Sequence, residues 1–418
     1  MKKLLVLIAL ICLGWNSGFT QTRYDKYFSR CEILQLNDSV LRVNTGCIGA
    51  TIRDMDGDGK DDLVIGEFGE IRCPGQEKAQ KPYVQGRCRV YKNYGTNTRP
   101  VYKDFKWLEE NGQPLYVPIT CCVPMNPSFA DMDGDGVPEL FSGCYDGEIY
   151  TWKQGENGEF ANKKMILLAD GSPLKIGHAA TVFPGDVDGD GLIDLLITGL
   201  YDGVFFAKNT GTKEAYRFEK AEPVVCGAEG KKIEANHAVW YDWDGDGRLD
   251  IVYGAYFGGN VYWCRGLENG YAEPELLIER PESVQPGVAS GEGHGDKPKI
   301  CIYDYDGDGK DDLVLATEVW EHTGNSDMEL DFFERLMSDE RLVEPGKAVK
   351  ELVKKMARYT DNLPQDKNST PDARIPKKLY EKWLEASNEY DDRLQRIMME
   401  MSGGPAKNVG IIWVYYRK

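Results

Sequence analysis

Five short runs of the chain turn from polar to apolar in the same way. "DLVIG" from Asp62, "ELFSG" from Glu139, "DLLITG" from Asp194, "DIVYG" from Asp250 and "DLVLA" from Asp312 each open on an acid and continue through branched or aromatic residues. Runs of this length and composition predict strands. One pattern leads into each of them, D-x-D-G-D-G-x-x-[DE]-[LI], beginning at Asp54, Asp131, Asp186, Asp242 and Asp304. Spacings of 77, 55, 56 and 62 residues between these aspartates mark a repeat architecture. A different periodicity fills residues 321–407. There "GKAVKELVKKMARYTDN" and "IPKKLYEKWLEASNEYDDRLQRIMMEM" carry apolar residues at helical spacing, with Pro364, Pro371 and Pro376 between them. This predicts a helical hairpin inserted in the repeats, burying Leu352, Met356, Trp383 and Leu394 against the repeat domain. At the start, two lysines precede the apolar run Leu4 to Leu13. Residues 1–20 therefore read as a secretory signal peptide, cleaved near Gly18 to Gln21 and too short to span a membrane.

Acids this closely spaced repel one another unless a cation sits among them. Carboxylates at positions 1, 3 and 5 of a tight, glycine-bearing loop are hard ligands suited to calcium. In the five loops these are Asp54, Asp56 and Asp58; Asp131, Asp133 and Asp135; Asp186, Asp188 and Asp190; Asp242, Asp244 and Asp246; and Asp304, Asp306 and Asp308. An EF-hand would carry Glu at position 12, where these loops have Ile65, Ser142, Ile197, Tyr253 and Leu315. Position 9 is acidic instead, as Asp62, Glu139, Asp194, Asp250 and Asp312. Those acids are expected to close the cage, with the backbone carbonyl of position 7 (Lys60, Val137, Leu192, Arg248, Lys310) as a further ligand. Position 2 is apolar throughout (Met55, Met132, Val187, Trp243, Tyr305), so each loop should fold over a core. About five calcium sites are expected.

The repeated motif resembles the FG-GAP/VCBS repeat family, calcium-loop repeats also seen in integrin α-chains, and the layout resembles exported bacterial members. The resemblance covers about residues 30–320 and the last ten. It implies an all-β propeller with calcium in loops on one face, and no single activity. In such a blade the loop joins the first strand to the second. "CRVYKN", "IYTWKQ", "VFFAKN" and "VYWCRG" then supply third strands, each followed by a basic residue: Lys92, Lys153, Lys208 and Arg265. The fifth loop has its third strand only at the chain end, "IIWVYYRK", with Arg417 in the basic position. The N-terminal "CEILQLNDSVLRV" matches the pattern of the fourth strands. Five blades are therefore expected across residues 21–320, closed by the N-terminal strand beside the final strand at 408–418. The 55- and 56-residue spacings leave no room for hidden blades in the middle of the ring.

Charge and cysteine content adjust this picture. The net charge is −18, and the twenty loop acids account for it. Such acidity argues against nucleic acid as a partner. The mature chain is expected to be exported to the periplasm, cell surface or extracellular space, with no transmembrane segment. That compartment permits disulfides, with Cys73 and Cys88 the best-placed pair and Cys144 and Cys301 expected as buried thiols.

Enzyme signatures such as G-x-S-x-G, H-E-x-x-H and the P-loop are missing. One other constellation stands out. His178, His237 and His294 precede predicted first strands and His322 follows a second strand, while Cys47, Cys121 and Cys122 fall in loops before first strands. All would gather on the face opposite the calcium loops. The first reading is a binding or scaffold propeller holding a glycan or protein ligand there. The second is a metal-dependent enzyme with a transition metal on those histidines and cysteines. The third is a purely structural module.

Overall fold

Each acidic loop joins the first two strands of a four-stranded antiparallel blade. The computed structural model describes residues 24–418 apart from 25, 69–85, 118–123, 156–157, 257–258, 280–282, 285–294, 323–327, 330–331, 361–362, 364–371 and 402–405. Blade one comprises Gly49–Arg53, Asp62–Glu67, Arg87–Tyr91 and Phe105–Trp107, and blade two Ser128–Ala130, Glu139–Gly143, Ile149–Gln154 and Phe160–Met165. Blade three is built from His178–Gly185, Asp194–Leu200, Gly203–Ala207 and Glu222–Pro223, and blade four from Ala235–Tyr241, Asp250–Ala255, Val261–Cys264 and Glu275–Ile278. The fifth pairs Asp296–Tyr303, Asp312–His322, Ala406–Arg417 and, outermost, Phe28–Ile33. The protein is thus a five-bladed β-propeller in which the N-terminal strand completes the last blade.

Closure is specific in register. Cys31 faces Tyr415 and Ile33 faces Trp413, and the Lys418 amide donates to the Tyr27 carbonyl at 2.9 Å. Phe28 is fully buried, packing on Tyr415 and Trp243 with ring centroids 5.7 and 5.9 Å away. Asn37 and Asp38 take φ of 50° and 61°, so the predicted turn is a left-handed hairpin turn that these two residue types tolerate. The core lies between blades. Leu41, Ile48, Leu63, Ile65, Val314, Ile412 and Val414 form one such layer between the fifth and first blades. The Tyr303 hydroxyl donates across it to Asp61 at 2.7 Å, as the Tyr241 hydroxyl does to Asp311 at 2.8 Å one blade earlier.

The described residues form two compact units: Met1–Pro281 with His294–Val319 and Val409–Lys418, and Glu282–Gly293 with Trp320–Asn408. The second contains helices α1 (Phe332–Met337), α2 (Glu340–Met356) and α3 (Lys377–Met401). Helix α2 starts at Asp339, whose side chain accepts from the Arg341 amide at 2.9 Å, a standard N-cap. The apolar residues expected to bury against the propeller cluster within the insertion instead. Met356 and Trp383 are buried in a cluster with Ile375, flanked by Val349 and Leu352, and Leu394 flanks another with Leu336, Leu342 and Ile397. Both helices carry a wide enough apolar stripe to satisfy each other. Replacing residues 323–405 by a short Gly/Ser linker should therefore leave the propeller folded, because the strands it would join are already neighbours. Circular dichroism should lose its helical signal and keep a cooperative melt; loss of the β signal would show that the insertion belongs to the propeller core.

Candidate metal centres and the opposite face

The five acidic loops have one geometry. Asp54 caps its loop by accepting the Gly57 amide on one oxygen at 2.7 Å and the Gly59 amide on the other at 2.8 Å. The same pair recurs on Asp131, Asp186, Asp242 and Asp304, at 2.7 to 3.0 Å. Gly57 and Gly59 sit at φ of 78° and 81°, a region closed to most side chains. The turn therefore draws carboxylates together. Oxygens of Asp54, Asp56 and Asp58 lie within 4.8 Å of one another, as do those of Asp131, Asp133 and Glu139; Asp186, Asp188 and Asp194; Asp242, Asp244 and Asp246; and Asp304, Asp306 and Asp308. Oxygen-only sets of this kind could hold a hard cation, with further oxygens completing its shell.

The position-9 acid, expected to close each cage, belongs to the clustered set in loops two and three and not in the other three. It is buried in all five loops. One oxygen accepts the position-2 amide, at 3.3 Å in Asp62, 2.9 Å in Glu139, 3.4 Å in Asp194, 2.8 Å in Asp250 and 3.0 Å in Asp312. In four loops the other oxygen accepts an amide at the end of the third strand: Asn93 at 2.7 Å, Asn209 at 2.8 Å, Gly266 at 2.6 Å and Arg417 at 2.8 Å. These acids stitch loop to blade. Burial raises their pKa against the pull of those amides, and pushes Asp312 to about 6.

The basic residue after each third strand also has a role. Lys153 Nζ stands 2.5 Å from Asp133, 2.6 Å from Asp135 and 3.8 Å from Glu139. Lys92 bridges Asp56 and Asp58, and Lys208 bridges Asp188 and Asp190. One ammonium thus offsets part of the negative charge in each of the first three loops. Arg265 meets Asp244 at 2.7 Å in the fourth. Arg417 departs from the pattern: its guanidinium donates to the Trp243 carbonyl in blade four, and Arg30 from the N-terminal strand meets Asp306 at 3.1 Å.

The opposite face differs from the expectation. His237 lies inside its first strand, where a register shift between Ala235 and His237 turns it into the channel. Its Nδ1 accepts the Ile300 amide at 3.2 Å. Burial, helped by the Lys299 charge, lowers its pKa to about 3. His178 is half-buried with its ring edge-on to Tyr145, 5.8 Å between centroids. His294, Cys121 and Cys122 lie outside the described residues, and His322 ends the second strand of blade five. The Cys47 thiol is pushed up to about 11 by burial, with Glu318 adding to the effect. Among the described residues, no group of three that could hold a metal includes a histidine or cysteine. Cys73 is also undescribed, while Cys88, Cys144 and Cys301 are free thiols.

The sequence reading missed another feature there. The loops from second to third strand in blades two, three and four read "CYDGE", "LYDGV" and "AYFGG", placing Tyr145, Tyr201 and Tyr256 in equivalent turns. Tyr201 is 66% exposed and meets Tyr256 edge-on at 5.1 Å. Asp202 locks its turn by accepting the His178 amide at 3.2 Å. The recurrence of Tyr-x-Gly, Tyr-Asp-Gly in two of the three loops, was a signal available in the sequence.

A neutral His237 makes stability depend on pH. Its folded pKa lies below the value of about 6.5 expected when unfolded. Stability is therefore full above about pH 6.5 and is lost as pH falls toward 3. His237→Gln keeps an acceptor for Ile300 and removes the proton, so its melting temperature should fall less than that of the wild type between pH 7 and 4.5. Parallel curves for the two proteins would contradict the assignment.

A five-bladed β-propeller with one acidic loop in every blade is the class these features define. The FG-GAP-like repeat family matches residues 131–197, 186–253 and 242–315, which run from the loop of blade two into the second strand of blade five. Residues 131–315 thus carry three FG-GAP-like repeats within the propeller. No curated protein matches the chain. Solved structures that resemble it include a GH43_1 enzyme from Xanthomonas citri, 12% identical, covering 66% of this chain and 84% of that one, with a TM-score of 0.38. RS223 β-xylosidase is 10% identical over 65% of this chain and 85% of that one, with a TM-score of 0.34. BBS1N in complex with ARL6DN is 11% identical over 66% and 80%, with a TM-score of 0.32. Likenesses this loose carry no argument about function.

Proposed function

We propose that the protein is an exported, calcium-binding propeller that presents a rigid binding face to a glycan. The observation that carries the calcium reading is the fivefold recurrence of three carboxylates within 4.8 Å, each set shaped by the same glycine turn. A closed ring with a cation in every blade is a stiff platform, and rigid platforms carry binding residues on their loops. On the face opposite the acidic loops, Tyr145, Tyr201 and Tyr256 supply aromatic rings with polar tips. Asp146, Asp202 and Lys232 stand beside them as hydrogen-bonding groups; Lys232 donates to the Tyr201 carbonyl at 2.6 Å. Ring faces flanked by such groups suit the C–H faces and hydroxyls of a sugar.

Binding to a panel of immobilised polysaccharides tests this. Tyr201→Ala should weaken glycan binding by about tenfold, on the scale of an aromatic anchor in an interface, with the melting temperature unchanged because the ring is mostly exposed. Equal binding by wild type and variant would remove the tyrosine face. Capture of a protein ligand with no glycan bound would favour the other ligand class.

A further inference from the structure

The ring encloses a cavity of about 640 Å³ along its axis, lined by the first strands of the blades. Strand register sorts the residues around it into levels. Arg53, Tyr241 and Tyr303 lie opposite the position-9 acids Asp62, Asp250 and Asp312. Four residues earlier, Gly49, His237 and Lys299 lie opposite Gly66, Gly254 and Ala316. Counting back from the Ala130–Glu139 pair puts Asn126 on that second level. The two levels are about 14 Å apart along the strands, at about 3.4 Å per residue. Gly49 makes room at the second level: a Cβ there would fall 1.9 Å from Asn126 Oδ1 and 3.4 Å from Lys299 Cδ.

Lys299 at one level makes no ion pair, and Arg53 at the other has Asp54 and Asp61 only at longer range. Lys299 is only 4% exposed, and its Nζ donates to the Cys47 carbonyl at 3.0 Å. The nearby acid, Glu318, is committed to Lys297 at 2.5 Å. Burial holds Lys299 below the usual lysine range. Arg53 rests its guanidinium on the Phe129 ring, 4.5 Å from the centroid, and one terminal nitrogen is buried with no hydrogen-bond partner. The acids that line the same cavity are already engaged: Asp54 accepts its own loop amides, and Asp311 accepts the Tyr241 hydroxyl. Buried charges are ordinarily paired, since an uncompensated one is costly to desolvate. A buried lysine and a half-buried arginine facing one cavity offer an anion two points of attachment.

We infer that the channel binds a small organic anion bearing carboxylate or phosphate groups, held by Lys299 and Asn126 at one level and by Arg53 at the other. The volume accommodates a molecule of sugar-acid size. Arg53 offers the fork that carboxylate and phosphate oxygens fit, and Asn126 contributes an amide beside Lys299. The inference goes beyond the glycan face and does not depend on whether the loops hold calcium.

Isothermal titration of the intact protein with succinate, glucuronate and glycerol 3-phosphate tests it, with succinamide and glycerol as neutral controls. At least one anion should bind once per chain and raise the melting temperature, while the controls do neither. Lys299→Met and Arg53→Met should each weaken that binding at least tenfold. Ligand-free, Lys299→Met should melt at or above the wild-type temperature, because it replaces a buried cation that makes no ion pair by an apolar side chain, and Arg53→Met should melt close to it. Binding unchanged in both variants, or no heat from any anion at millimolar concentration, would overturn the inference. So would a marked loss of stability in either ligand-free variant, which would show that the cation is already satisfied within the protein.

Discussion

Chelation is expected to lower the melting temperature by about 20 °C, the largest effect of any change in solution conditions. A cation bound only by the folded state adds about 2.7 kcal/mol at a hundredfold excess over its dissociation constant. Five such sites add about 13 kcal/mol, and with an unfolding entropy of about 2.1 cal/mol/K per residue a domain of this size gains roughly 20 °C. Folding should survive chelation, since Lys92, Lys153 and Lys208 stand among the carboxylates of the first three loops and temper their repulsion. Scanning fluorimetry in EDTA, then with excess calcium chloride, reads this directly. An identical melt in both would mean that the loops are held by their lysines and glycine turns alone.

Deleting residues 1–43 should abolish soluble, folded protein. The truncation removes the outer strand of blade five and with it Phe28, Leu34, Leu41 and Val43, all essentially buried. Burial of four such side chains is worth about 6–12 kcal/mol, at about 1.5–3 kcal/mol each. The whole stability of a typical domain is about 5–15 kcal/mol. The loss also bares the edge of Ala406–Arg417, a twelve-residue strand able to pair with another chain. Size-exclusion chromatography should show aggregate, while deletion of residues 1–23 alone, which touches none of these contacts, should leave a monodisperse protein. A folded monomer lacking residues 1–43 would show that the ring does not need this strand.

Features dictated by local chemistry were legible in the sequence. D-x-D-G-D-G encodes its own turn, because the first aspartate and the two glycines meet through hydrogen bonds three and five residues apart. Blade order followed from the loop spacing, and closure by the N-terminal strand followed from the missing fourth strand of blade five. Long-range placement was not legible. Nothing near His237 in the chain reveals that its ring would turn into the channel and accept the Ile300 amide, since Ile300 lies on the next blade. The basic residues after the third strands were visible as a pattern, but the carboxylates they meet in the first three loops stand 14 to 36 residues away across the blade. The apolar faces of α2 and α3 look the same whether they cover each other or the propeller. The levels of the channel emerge only once strand register is known, because Arg53, Asn126 and Lys299 are far apart in sequence and share no motif.

The most direct test of the central claim is a count of bound calcium, by native mass spectrometry of the intact protein after dialysis against excess calcium. Five ions per chain are expected, falling to four when Asp188 is replaced by alanine and returning to none after exhaustive chelation. A chain that retains no calcium, or an Asp188→Ala variant that binds as many ions as the wild type, would contradict the assignment of the five loops as calcium sites.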